Sequence, residues 1–319
     1  MPHPFPTPTF GPSEEACAEV LIELALDEDL DAGGGWSARN DVTSTACIPA
    51  ESRGAAHLVA RAPGVVAGLP ILRLIAARFD DGLDVDFDVD DGQTVVADTR
   101  LATLRGSVRA LLAAERTALN FLQRLSGIST LTATFVAETA GTRAAIVDTR
   151  KTTPGRRALD KYAVRCGGGV NHRVGLYDAV LIKDNHLAAI AASGDSNPIA
   201  TAVRAARALQ VPIQFIEVEV DTLAQLDQAL SCRPGPDIVL LDNMPIDHVA
   251  EAVRRRDRLA PKIQIEASGG VRLGDVAALA AAGVDRISVG ALTHSAAALD
   301  IALDFVSAPP STGRPASTP

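Results

Sequence analysis

Two rhythms of apolar and polar positions divide the chain near residue 140. Ahead of that point, apolar residues three and four apart predict a helix over 13–30, opened by Ser13 as its cap. Three consecutive glycines, Gly33 to Gly35, break the pattern. Strand-like runs at 55–62, 83–89 and 99–106 follow between turns, and helical spacing resumes over 107–140. This first part reads as an α+β module.

Past residue 140 a simpler unit repeats. Short apolar runs fall at 144–148, 179–183, 213–220, 238–242, 263–267 and 286–290, and alanine-rich helical stretches at 198–209, 222–231, 246–258 and 274–282 separate several of them. Strands and helices alternating at this spacing predict βαβ units and a parallel sheet. Nearly every run ends in a chemically capable group: Asp148-Thr149-Arg150-Lys151, Lys183-Asp184-Asn185-His186, Glu219, Asp242-Asn243, Ser268-Gly269-Gly270 and Gly290. A barrel gathers such C-terminal strand ends at one mouth, whereas an open doubly wound sheet uses only those at its switch point. Polar groups at all six ends favour a barrel. Whether the sheet closes does not follow from the pattern.

The proline-rich residues 1–12 and the Pro/Ser/Thr-rich residues 307–319 predict disordered ends. Over its 319 residues the chain is 47% hydrophobic and 22% charged, which suits an ordinary globular core. A net charge of -9 argues against nucleic acid held by counterion release, and 3% aromatic residues are too few for base stacking. No apolar run is long enough for a membrane helix. The first residues lack a basic-then-apolar leader, and Cys17, Cys47, Cys166 and Cys232 lie far apart. The expectation is a cytoplasmic protein with neither disulfide framework nor zinc site.

Against that acidic background residues 143–183 hold nine Lys or Arg and three Asp. A concentrated positive region in an acidic protein suits a small polyanion, since arginine forks grip carboxylates bidentately. The alternative is a solvated basic face. Glu217 and Glu219 share one strand face and Asp242 ends the next strand, so Glu219 and Asp242 could share Mg²⁺ bound to phosphates, or could be structural carboxylates. Ser268-Gly269-Gly270 and Val289-Gly290-Ala291 each precede a helix and offer backbone N–H groups to a phosphate. His294 lies just past the last strand. Cys166, beside Gly167 to Gly169 and near His172, reads as a small buried residue rather than a nucleophile.

The stretch 148–186, DTRKTTPGRRALDKYAVRCGGGVNHRVGLYDAVLIKDNH, resembles the signature of quinolinate phosphoribosyltransferases. So do ERTALNFLQRLSGI (115–128), IEVEV (216–220), LLDNM (240–244), EASGGV (266–271) and VGALTHS (289–295), in the family's order. The resemblance spans roughly residues 13–306. It implies transfer of phosphoribosyl from phosphoribosyl pyrophosphate to quinolinate with decarboxylation, requiring Mg²⁺. It also implies an N-terminal α+β domain (13–125) and a seven-stranded TIM-like α/β barrel (126–294). A C-terminal helix (295–306) would return to the first domain, and two chains would form a homodimer with shared sites. Carried over position by position, Thr149, Arg150, Lys151, His172 and Arg173 are similar to the clamp on the two quinolinate carboxylates, and Arg116 to an arginine lent to the neighbouring subunit. Lys183 would face phosphoribosyl or pyrophosphate oxygens. Glu219 and Asp242 would lie near the ribose hydroxyls and the metal. Ser268, Gly269, Gly270, Val289, Gly290 and Ala291 would bind the 5'-phosphate. Lys151, Lys183, Glu219 and Asp242 are the expected catalytic set. Rival readings are an enzyme for a monocarboxylic pyridine, a Schiff-base aldolase using Lys151 or Lys183, and a non-catalytic binder that keeps the pocket.

Overall fold

The computed structural model describes residues 8–79 and 82–306; of the disorder expected over 1–12 and 307–319, residues 1–7 and 307–319 lie outside them, while Pro12 already belongs to a helix. The chain divides into two compact units, residues 1–127 with 298–319 and residues 128–297.

The first unit opens with α1 (Pro12–Leu30), where Ala18, Ile22, Leu26 and Leu30 fall four apart on one buried face. Its cap is Gly11 rather than Ser13: the Glu14 carboxylate accepts the Gly11 N–H at 3.1 Å, and Pro12 occupies the first turn, where no N–H is needed. A short α2 (Val42–Cys47) follows. Then come β1 (Arg53–Ala60), β2 (Gly64–Val65), α3 (Leu69–Ala76), β3 (Leu83–Phe87), β4 (Thr94–Val95), β5 (Arg100–Ser107) and the long α4 (Val108–Ala137). Strands β1, β5 and β3 pair antiparallel, and β2 pairs with β4.

The free edge of β1 takes the C-terminal segment. Residues Ile301–Phe305 form a strand, β12, antiparallel to β1 with Ala60 opposite Ile301 and Ala56 opposite Phe305. The expected C-terminal helix over 295–306 is therefore corrected. A helix this short gains little by itself, whereas an unpaired sheet edge offers a full row of backbone partners. The segment does return to the first unit, and the Gln123 amide fastens it by donating to the Ile301 carbonyl at 2.7 Å.

The second unit carries six parallel strands: β6 (Ala145–Val147), β7 (Val180–Ile182), β8 (Ile216–Val220), β9 (Ile238–Asp242), β10 (Gln264–Ser268) and β11 (Arg286–Ser288). Helices α5 (Arg157–Cys166), α6 (Asp184–Ala191), α7 (Pro198–Arg207), α8 (Leu223–Ser231), α9 (Ile246–Leu259), α10 (Leu273–Ala281) and α11 (Ala291–His294) intervene. The sheet order is β6-β11-β10-β9-β8-β7. Successive strands from β7 to β11 lie side by side without reversal, so the sheet has no doubly wound switch point. Six strands stand where seven were implied. Beyond β6, an isolated parallel bridge joins Val147 to Val170. The glycines after Cys166 are structural. A Cβ on Gly167 would fall 2.6 Å from the Thr132 Cβ, so only glycine lets α5 end against α4.

Candidate active site

Because side chains alternate across a strand, register alone fixes which residues share the inner face. Leu181 lies opposite Glu217, Glu219 opposite Leu240, Leu240 opposite Glu266, and Asp242 opposite Ser268. Leu181, Glu219, Leu240, Asp242, Glu266, Ser268 and Ser288 accordingly line one cavity of about 580 Å³ at the C-terminal strand ends, and Asp148, Thr149, Arg150, Lys151, His172, Arg173 and Lys183 join them.

Cations line part of this cavity. Arg150 lies close enough to Arg173 that its charge, after burial, pushes the Arg173 guanidinium below its ordinary range. The Arg150 Nε–H is buried without a partner. Two neighbouring guanidiniums with an unsatisfied N–H form a site that a bound anion would complete. Lys151 is fixed by its backbone, its N–H donating to Thr149 Oγ1 at 3.1 Å and its carbonyl accepting from Thr293 Oγ1 at 2.8 Å.

Beneath these cations lies a buried ionic layer. Asp148 accepts from Lys161 Nζ at 2.5 Å, from the Asn171 amide at 2.7 Å and from the His172 N–H at 2.8 Å, which anchors the segment that carries His172 and Arg173. His172, which the resemblance places in the carboxylate clamp, is a neutral ring. Its Nδ1 accepts the Arg173 N–H at 2.8 Å, so the ring proton sits on Nε2 and points to Glu217 Oε2, also at 2.8 Å. Burial lowers its pKa in the same sense. It lines the cavity as a neutral ring. Burial also pushes Glu217 up to about 7 and Glu266 up to about 6. Arg286 offsets part of this by donating to Glu266 at 2.6 Å. His172, Glu217 and Glu266 offer ligand atoms within 4.8 Å of one another. With Arg286 already on Glu266 and a proton on Nε2, the trio is furnished to hold protons rather than a metal ion.

Acids and a glycine loop line the same cavity. Lys183 Nζ donates to Glu219 Oε2 at 2.7 Å. The Asn243 amide donates to Asp242 Oδ2 at 2.8 Å. Gly269 and Gly270 also line the cavity and take φ of 100° and 57°, left-handed values that favour glycine.

Part of the expected 5'-phosphate set falls outside this cavity. Val289, Gly290 and Ala291 do not line it, although a Cβ on Gly290 would meet Lys151 Cδ at 3.0 Å, so Gly290 makes room for that lysine. His294 is exposed, with Nδ1 2.7 Å from Ser295 Oγ. Arg116 is exposed on α4 in the first unit. Sequence reasoning did not assign Asp148, Lys161, Glu217, Glu266, Arg286 or Asn243 to the site. Glu217 and Glu266 were within reach of it, since each lies two residues before a strand-end group already singled out.

Residues 41–126 match the quinolinate phosphoribosyl transferase N-terminal domain and residues 128–304 its C-terminal domain. The carboxylating nicotinate-nucleotide pyrophosphorylase of Mycobacterium leprae is 46% identical over 290 residues, covering 90% of this chain and 97% of its own. A decarboxylating quinolinate phosphoribosyltransferase of Nicotiana tabacum is 38% identical, with 89% and 81% covered. The solved nicotinate-nucleotide pyrophosphorylase of Francisella tularensis superimposes with a TM-score of 0.81 at 36% identity, over 91% of this chain and 96% of that one. The cavity, its register and these relatives agree: the chain belongs to the quinolinate phosphoribosyltransferase family.

Proposed function

We propose that this chain transfers the phosphoribosyl group of phosphoribosyl pyrophosphate to the ring nitrogen of quinolinate. The products are nicotinate mononucleotide, pyrophosphate and CO₂, a step of NAD synthesis. The observation that carries the reading is that one cavity is lined both by the cations Arg150, Lys151 and Arg173 and by the acids Glu219 and Asp242 with the Ser268 to Gly270 loop. Two adjacent guanidiniums and an ammonium match a dianion better than a monocarboxylate, since each charge-assisted bond contributes about 1.5–3 kcal/mol.

The chain's own groups account for the steps. Arg150, Arg173 and Lys151 bind the two carboxylates and orient the ring nitrogen toward the ribose C1. As the C1–pyrophosphate bond breaks, positive charge develops on the ribose, and Glu219 and Asp242 stabilise it electrostatically. Lys183, held on Glu219, neutralises phosphate oxygens. The new bond leaves a pyridinium nitrogen beside the carbon bearing the 2-carboxylate. When CO₂ departs, the electron pair left on that carbon is stabilised by the adjacent charge and then takes a proton. Glu219 and Asp242 each keep one oxygen without a protein hydrogen bond, and such hard oxygen donors fit Mg²⁺ held jointly with substrate phosphates. Glu219 and Asp242 would hold the ion, which would supply charge neutralisation for the departing pyrophosphate.

On this reading the Val170 bridge marks the seam of a seven-stranded barrel, a second copy of the chain supplies Arg116, and the protein works in the cytoplasm. Among the described residues no helix is long and apolar enough to cross a membrane. Purified protein given phosphoribosyl pyrophosphate, Mg²⁺ and either quinolinate or nicotinate provides the test. Nicotinate mononucleotide from quinolinate at a far higher kcat/KM is expected. Equal or better use of nicotinate would reject the diacid assignment.

A further inference from the structure

Asn243 takes φ = 53°, one of two non-glycine residues with positive φ among the described residues. Left-handed backbone disfavours every side chain, with Asn and Asp the most tolerant, and it persists only where the surroundings enforce it. Here they do. The Asn243 N–H donates to the Ser268 carbonyl at 3.0 Å, extending the β9–β10 ladder one step past the pair Asp242 and Ser268. The chain then turns, and the side-chain amide folds back to donate to Asp242 Oδ2 at 2.8 Å. The same amide and backbone press on the neighbouring loop: a Cβ on Gly269 would fall 2.5 Å from Asn243 Cγ and 2.7 Å from its backbone N. Gly269 must be glycine twice over, for its φ of 100° and for this contact.

One residue therefore touches two components of the cavity lining. It fixes the Asp242 carboxylate through its amide and the Ser268–Gly270 loop through its backbone and bulk. We infer that Asn243 is the positioning residue of the phosphoribosyl half of the site, locking the Asp242 carboxylate and the Ser268–Gly270 loop into one arrangement through its left-handed backbone and its side-chain amide. This rests on the phosphoribosyl-transfer reading and adds to it a residue that lines the same cavity and holds two of its components together.

The test separates backbone from side chain. Asn243→Gly keeps the left-handed backbone without strain and deletes the amide, while Asn243→Ala deletes the amide and adds strain. In Asn243→Gly, kcat/KM for phosphoribosyl pyrophosphate should fall about 10–100-fold, chiefly as a raised KM, as when an outer partner of a ligating carboxylate is lost. The KM for quinolinate and the melting midpoint should stay at the wild-type values. Asn243→Ala should show the same selective kinetic loss with a lowered melting midpoint. A wild-type KM for phosphoribosyl pyrophosphate in Asn243→Gly overturns the inference. So does a parallel rise in both KM values with a lowered midpoint, which marks general damage. Wild-type protein that makes no product from quinolinate would instead remove the reading beneath it.

Discussion

Replacing Glu217 by Gln removes a carboxyl from the buried layer but leaves an oxygen to accept the His172 Nε2–H. Glu217 is fully buried, with one oxygen 2.8 Å from that nitrogen and the other without a hydrogen bond. Burial raises its pKa from 4.5 to about 7. The folded chain thus holds this proton more tightly than the unfolded chain. The associated stability is complete below about pH 4.5 and is lost as pH rises through about 7. That span is worth about 3 kcal/mol at most. Glu266, pushed up to about 6, acts in the same direction. His172, lowered by burial, acts oppositely, its share being present above its unfolded value and lost as pH falls. Both remain in Glu217→Gln, and removing the Glu217 charge also relieves Glu266, whose pKa that charge raises, so the comparison reads the buried layer through this one substitution. Unfolding by urea between about pH 5 and 8 should show the variant gaining on wild type with rising pH, approaching 3 kcal/mol at the upper end. A difference that is flat across that range would refute a protonated buried carboxyl at this position.

Other consequences follow from the same layer and its surroundings. Lys161→Met should cost about 3–5 kcal/mol in chemical unfolding, because Asp148 keeps a buried charge, and Lys161→Met with Asp148→Asn should recover much of it. Arg150→Ala and Lys151→Ala should each abolish most turnover while leaving the melting midpoint within a few degrees of wild type, and near-normal activity in either would remove that residue from the clamp. Gly167→Ala should destabilise by about 1–3 kcal/mol, read from the urea midpoint, since the new methyl meets Thr132 at 2.6 Å and the Ser129 carbonyl.

The parts of this fold that are legible in the sequence are those set by short-range pattern. Six apolar runs with polar ends correspond to β6 to β11, and the strand-end residues Arg150, Lys151, Lys183, Glu219, Asp242 and Ser268 line one cavity. What stayed hidden depends on partners distant in sequence. Residues 301–305 become a strand because β1 has a free edge, which no local propensity records. The neutral state of His172 follows from the Arg173 N–H on Nδ1, a contact that spacing does not predict. Glu266 belongs to the site because register places it opposite Leu240, and Asn243 because its backbone turns left-handed against Gly269. The Ser13 cap failed for a local reason: Gly11 and Glu14 close the first turn ahead of it.

The most direct measurement follows the fate of a single carbon. Quinolinate labelled in its 2-carboxylate, incubated with phosphoribosyl pyrophosphate, Mg²⁺ and the protein, should release one labelled CO₂ for each pyrophosphate formed, and neither should appear with Arg150→Ala. Pyrophosphate released while the label stays on the nucleotide, or label lost without pyrophosphate, would contradict a cavity in which a diacid and a sugar phosphate react together.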